Sequence, residues 1–379
     1  MLARRAWTLI VAVVLVMLAL PGLASARTLH VHAGQSIQAA VDKAAPGDTV
    51  LVSPGTYTEA GIPCPAEPAN TCAVTIAKDG IALVGYGEVV LRDAGGQDVG
   101  IGVGKTDSAS CLGDASERVN GSLVRGLSVR DFDDDGILLF CVDNWHVQDV
   151  SALGNLEYGI FPSHSGAGRV DHSLATGAND TGLYIGQSHD VRIDHDTATG
   201  NVSGFEIENS TGVRADHNLA TGNTGGILSF TLPSLDVKSN SNNQIDHNVV
   251  RDNNKPNTCL DPEDQVCDVP VGTGILMLAV DTNDVSHNEV TGNGSFGVAV
   301  ANYCVANGIP PATCATLDID PDPDGNHVSS NTVTGNGGSP DPGLPSIFAV
   351  DLAWDTTGDG NCWSNNVYGT SFPTTLPSC

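Results

Sequence analysis

The chain has 379 residues, with 16 Lys plus Arg against 44 Asp plus Glu and a formal charge of −28 at pH 7. So acidic a chain lacks the basic face that a phosphate backbone requires, which argues against nucleic acid as a partner. Its 40% hydrophobic and 16% charged residues are a globular rather than a disordered composition, and the acidity suits either solubility in salty surroundings or the binding of divalent cations such as calcium.

In chain order, Arg4 and Arg5 precede an apolar run from Trp7 to Leu20 and then Ala24, Ser25 and Ala26. This is the three-part pattern of a secretory signal peptide, with cleavage expected after Ala26 and the general secretory route expected over twin-arginine export. No later stretch reaches the length of a membrane span. The mature chain is therefore expected to be secreted or periplasmic, without a membrane span, and monomeric. Residues 36–45 place Ile37, Ala40, Val41 and Ala44 at helical spacing, start at Ser36 as a capping residue and stop at Pro46-Gly47-Asp48. They predict one short amphipathic helix. A strand follows over 49–53, and residues 27–60 are expected to cap the open edge of whatever sheet comes next.

Residues 61–379 are dominated by a returning phrase. VDHSLATG begins at Val170, IDHDTATGN at Ile193, ADHNLATGN at Ala215 and IDHNVVRDN at Ile245, with weaker copies at Val124, Val147, Val285 and Val328. The first steps are 22 or 23 residues, and the later ones of 30, 40 and 43 read as one repeat plus an inserted loop. A second phrase keeps the same period, a Gly followed by alternating apolar residues, as in Gly182-Leu183, Gly204-Phe205 and Gly226-Ile227. A unit this small cannot bury its own apolar face, so copies must stack and share one core, with at least two strands per coil paired in parallel.

The segment GQSIQAAVDKAAPGDTVLVSPGTYTE, Gly34 to Glu59, resembles the N-terminal cap of proteins of the pectin-lyase-like class, and the repeats after it are similar to that class's generic repeats. The resemblance implies an all-β fold, a right-handed single-stranded parallel β-helix with a short N-terminal capping helix. Three segments, at Tyr184–Ser188, Gly204–Asn209 and Gly225–Leu228, are further similar to a group of exported bacterial β-helix proteins, a likeness that names relatives without naming a reaction.

The ten cysteines fall into neighbouring pairs, Cys64 with Cys72, Cys111 with Cys141, Cys259 with Cys267, Cys304 with Cys314 and Cys362 with Cys379. An even count in an exported chain suggests disulfides, here as staples of inserted loops, and no Cys-x-x-Cys spacing points to a metal site instead.

Repeat positions become columns of side chains along the stack. Columns headed by Ile137 and Ala175 are core; Asp196, Asn218, Asn248, Asn288 and Asn331 form a turn column whose side chains can hydrogen-bond one another. His172, His195, His217, His247 and His287 form another, better explained by ring stacking and turn hydrogen bonds than by a metal, because a ladder repeats one vector where a metal needs convergent ligands. Arg169, Arg192 and Arg214 are expected to offset the Asp column two residues on.

The outer face of the Gly-started strand changes from coil to coil, and that is where a site is expected. If Leu183, Phe205 and Ile207 point inward, Tyr184, Glu206 and Glu208 point outward. Glu206 and Glu208, with Tyr184 and His164, are the candidate catalytic groups, since paired carboxyls poised against a neighbour suit acid–base work. Gln187, Asn209, Asp180 and Phe161 are the candidate substrate contacts, with Trp145, Phe161 and Tyr184 as exposed rings for sugars; Asp134 and Glu157 extend the acidic column. A solvated acidic face is the plainer reading. Two Asp-rich runs, Asp131, Asp133, Asp135 and Asp320, Asp322, Asp324, have the alternation a calcium ion prefers but lack the closing Glu of an EF-hand.

The expected function is a secreted protein that binds a polysaccharide or cell-surface glycan, with hydrolysis, elimination and epimerisation left open; the Asp-Pro-His-Asp motif of alginate epimerases is absent. The alternative is a non-enzymatic cell-surface or periplasmic scaffold, structural or adhesive.

Overall fold

The computed structural model describes residues 26–64, 67–105 and 108–379; the signal-peptide segment, but for Ala26, falls outside them. The strands assemble into three long sheets of 12, 11 and 12 strands, parallel except where Ile62–Pro63 pairs antiparallel with Thr71–Ile76 at the edge of the third, and the chain visits each sheet once per coil. The first phrase of the repeat supplies two of the three strands. Arg169–Asp171 lies in the first sheet and Leu174–Thr176 in the second. The chain bends between them at His172, where φ is 54°. His195, His217, His247 and His287 turn the same corner at φ between 57° and 59°. His, Asn and Asp tolerate this left-handed conformation better than most residues, which is one reason a His recurs there.

Register follows the period read from the sequence. In the first sheet Val124, Val147, Val170, Ile193, Ala215, Ile245, Val285 and Val328 pair one after another. Every repeat start therefore sits on its neighbour, and the steps of 30, 40 and 43 each hold one coil plus an insertion. Ile137, Ile160, Leu183, Phe205, Ile227, Ile275, Val298 and Leu352 run up the third sheet in the same way. All face a single continuous hydrophobic core.

Corners break the strand ladders, so the bent backbone needs other partners. Buried side-chain amides supply them. The N–H of Asp196 donates to Asn218 Oδ1, that of Asn218 to Asn248 and that of Asn248 to Asn288, all at 2.9 Å. Two more ladders, not anticipated from the repeat phrase, occupy the other corners: Asn201, Asn223, Asn253, Asn293 and Asn336, and Asn243, Asn283, Asn326 and Asn361. The second ladder also explains the Gly of the second phrase. A Cβ on Gly204 would lie 2.6 Å from the Gly226 carbonyl oxygen and 2.9 Å from Asn223 Nδ2, so only Gly admits the amide.

The capping helix spans Ile37–Lys43. Ser36 Oγ accepts from Ala39 N at 2.9 Å and donates to Glu59 at 2.6 Å, while Lys78 Nζ binds the carbonyls of Val41, Asp42 and Ala44 at the other end. A strand at Thr28–Val31 precedes it and pairs with Thr49–Val52, an addition to the expected helix-plus-strand cap. The five cysteine pairs are the disulfides expected.

Removing one rung tests the ladders. Asn223→Ala orphans the Asn201 N–H and the Ala198 carbonyl in a fully buried corner, and is expected to cost about 2–3 kcal/mol, read as a lowered denaturant midpoint; an unchanged midpoint would show that the amides are dispensable.

Candidate functional site

The insertions all flank the outer face of the third sheet. Residues 231–243 follow strand Gly225–Phe230 and residues 302–326 follow strand Phe296–Ala301, so both lie beyond the ends of those strands. Residues 254–272 and 337–350 precede strands Thr273–Leu278 and Leu352–Trp354 and so stand at the opposite rim. Each rim is tied together. Val271 N donates to Asp341 Oδ2 at 3.1 Å on one side. On the other, Lys238 Nζ pairs with Asp318 Oδ2 at 2.6 Å. The disulfides Cys259–Cys267 and Cys304–Cys314 lie within the two longer walls. Between the rims runs a groove of about 770 Å³.

Its floor is the outward column of the strands. Tyr184, Glu206, Leu228, Leu276 and Ala299 pair in sequence across the coils, as do Glu208, Phe230, Leu278 and Ala301, and all of these line the groove. The two glutamates are only 5% exposed and Tyr184 8%, which is incompatible with a solvated acidic face. Burial drives both carboxyls up to about 7. The Thr181 and Ser203 hydroxyls restrain Glu206, and the Tyr184 hydroxyl, which donates to Glu208 Oε2, restrains Glu208. The Glu206 charge adds to the burial of Glu208. Near neutrality the pair thus shares a proton supply between two interacting groups.

The acidic column continues the floor. Burial, reinforced by Glu206, holds Asp180 well above the usual carboxylate range. Burial and a hydrogen bond with Glu157 bring Asp134 up to about 9. Tyr158, which the sequence did not single out, completes an aromatic wall. Its ring lies 4.9 Å from Tyr184 and 4.7 Å from Phe161, and Phe161 stacks on Tyr184 at 4.5 Å with planes 4° apart.

Glu206, Glu208, Tyr184 and Asp180 therefore meet in one groove, while the other candidates lie beside it. Phe161 backs Tyr184. His164 is buried, with Nδ1 2.9 Å from Ser163 Oγ and Nε2 3.3 Å from Asp236 Oδ2, and burial lowers its pKa. Gln187 Oε1 accepts from Asp236 N and Val237 N; Asn209 Nδ2 donates to the Leu232 and Val237 carbonyls. These three residues fasten the 231–243 wall to the sheet. Trp145 corrects the expectation of an exposed ring, as does the buried Tyr184. Trp145 belongs to the core cluster, against Gly168, where an added Cβ would come within 1.8 Å of the indole.

The first Asp-rich run separates, and the second stays together beside Asp281. Asp131 pairs with Arg92 and Arg130, Asp133 is exposed and Asp135 is buried beside Asp134. Asp320 accepts from Asp322 N, Asp322 from Asn302 Nδ2 and Asp324 from Asp359 N. Among the described residues the one trio of metal-type ligand atoms within reach of one another is His327, Cys362 and Cys379, and those sulfurs form a disulfide. The arginine column is spent on structure. Arg169, Arg192 and Arg214 each make a bidentate pair with the Asp of the following coil, Asp194, Asp216 and Asp246. The histidine rings stack at 4.9–5.1 Å, the first four with Nδ1 against the preceding Asp.

The family described as "Right handed beta helix region" matches residues 135–309. The fold of the chain is a right-handed parallel β-helix. Among solved structures, a double mutant of the periplasmic alginate epimerase AlgG is similar with a TM-score of 0.58 and 14% identity, over 90% of this chain and 73% of that one. The Dettilon tailspike protein gives 0.54 and 14%, over 88% and 64%, and the Azotobacter vinelandii mannuronan C-5 epimerase AlgE6 A-module 0.50 and 17%, over 88% and 90%. At such identities the β-helix shares a fold with them. No curated protein sequence matches the chain.

Raised carboxyls leave a signature in stability. Glu206 and Glu208 bind protons more tightly folded, at about 7, than at their ordinary value of 4.5. Between those values the folded state holds the extra protons, so stability falls as pH rises through that window, by on the order of 1–3 kcal/mol per group. The urea midpoint is expected to drop from pH 4.5 to 7, and to drop less in a Glu206→Gln, Glu208→Gln double variant; equal slopes would contradict the raised values.

Proposed function

We propose that the groove binds a polysaccharide and that Glu206 and Glu208 carry out acid–base chemistry at a glycosidic linkage. The observation that carries this is the placement of two adjacent, nearly buried carboxyls, both titrating close to neutrality, on the floor of a walled groove. Glycoside chemistry needs one carboxyl able to give a proton and another able to take one, and a pair of interacting groups near pH 7 holds both forms at once. Tyr184 assists through its hydrogen bond, which favours the ionised form of Glu208. Tyr158 offers its ring at the edge of the floor, in the place where a sugar face would lie. The epimerases that share the fold act, by their titles, on alginate or mannuronan, which supports a glycan as the class of ligand. The disulfides and the periplasmic neighbour support an extracytoplasmic location, as the signal-peptide reading does.

The test is turnover of a glycan panel by the disulfide-intact mature protein. Glu206→Gln and Glu208→Gln are each expected to lower kcat by roughly 10²–10⁴; undiminished turnover in both would remove the pair from the reaction. Tyr184→Phe is expected to move the limb of the kcat/KM pH profile near 7 to higher pH, because the lost donor no longer favours the Glu208 carboxylate. Binding by the wild-type protein with no turnover on any substrate would leave a lectin-like groove on a stiff rod.

A further inference from the structure

The charge of the groove narrows what it takes. Among the described residues that line it there is no Lys, Arg or His, while Glu157, Asp180, Glu206 and Glu208 lie along the floor and Asp264 and Asp268 on the wall. The nearby cations are engaged or placed elsewhere, Arg251 on the second sheet, away from the groove floor. Lys238 pairs with Asp318, Lys255 donates to Thr258 Oγ1 at 2.9 Å, and Arg169, Arg192 and Arg214 are committed to the Asp ladder on the first sheet. A uronate polymer would bring one negative charge per sugar into a space whose carboxyls already resist ionisation, with no partner to receive it.

Resting on the glycan reading above, we propose that this groove is a site for a cationic glycan, a polymer of amine-bearing sugars, and that it rejects polyuronates. An ammonium group supplies the counter-charge that the buried carboxyls lack and converts their desolvation into charge-assisted hydrogen bonds. The half-buried ring of Tyr158 gives the same cation an aromatic neighbour. The net charge of −28 attracts a polycation from a distance and repels a polyanion. An uncharged sugar gains the aromatic contact alone.

The experiment is calorimetric titration of the disulfide-intact mature protein, at pH 6 and low salt, with oligomers of equal length of glucosamine, N-acetylglucosamine and galacturonate. Glucosamine oligomers are expected to bind at least about tenfold tighter than their acetylated counterparts, to weaken as salt rises, and to release protons on binding, seen as a heat that depends on the buffer's ionisation enthalpy. Galacturonate oligomers are expected not to bind. Galacturonate binding as tightly as glucosamine, or acetylated oligomers matching the free amines, would overturn the charge assignment and leave a glycan groove standing. Absence of binding by all three would overturn the glycan reading and this proposal together. Asp264→Asn, at an exposed wall position where the fold is not at stake, is expected to weaken glucosamine binding about two- to fivefold and leave the acetylated oligomer unaffected. A full preference for the amine in both this variant and the Glu206→Gln, Glu208→Gln double variant would take the carboxyls out of recognition.

Discussion

Everything in this molecule depends on turning three corners per coil without stranding the backbone amides of the bend. Left-handed residues turn the corner, and a buried amide from the next coil accepts the N–H that the turn sets free. Once that is solved, the strands stack in register, a single core forms, and the outer faces are released from any duty except solubility. An isolated coil has neither the core nor the acceptors, so stability belongs to the stack.

The groove grows out of that release. Insertions enter where a strand ends or before one begins, because only there do they leave the corner amides and the register untouched. In the C-terminal half of the chain, four of them do so at the third sheet, two on each rim. They convert an outward strand face into a floor, and a floor is where a carboxyl loses water. Glu206 and Glu208 have ordinary strand geometry; the walls and their neighbours give them chemistry.

The repeat period, the parallel stacking, the capping helix and the disulfide partners were legible in the sequence because each is a local or strictly periodic signal. The inward or outward direction of Leu183, Tyr184, Phe205 and Glu206 was legible too, from alternation alone. The third strand of each coil was not separately legible, since the bend at His172 and its equivalents falls inside one unbroken phrase. Two of the three asparagine ladders went unseen: Asn201, Asn223 and Asn253 close the phrase itself and look like turn residues, while Asn243, Asn283 and Asn326 lie just before its start. At the site, Glu206, Glu208, Tyr184 and Asp180 come together as read, but Tyr158 and the walls do not follow from alternation, because they depend on how insertions 40 or more residues apart meet. The outward-facing His164, Gln187 and Asn209 carry the wall instead of the floor, a distinction set by where residues 236 and 237 return to the sheet.

The ladders have a direction. In each, the backbone N–H or guanidinium of one coil donates to a side chain of the coil after it: Asn201 to Asn223, Arg169 to Asp194, Arg192 to Asp216. Each coil therefore completes the one before it and waits on the one after it. The series runs as far as Asp351, Asn361 and Asn366, which accept from the coil before them. Cys379 is fastened to Cys362, on the strand beside Asn361, so a covalent staple braces the coil whose side chains complete the one before it.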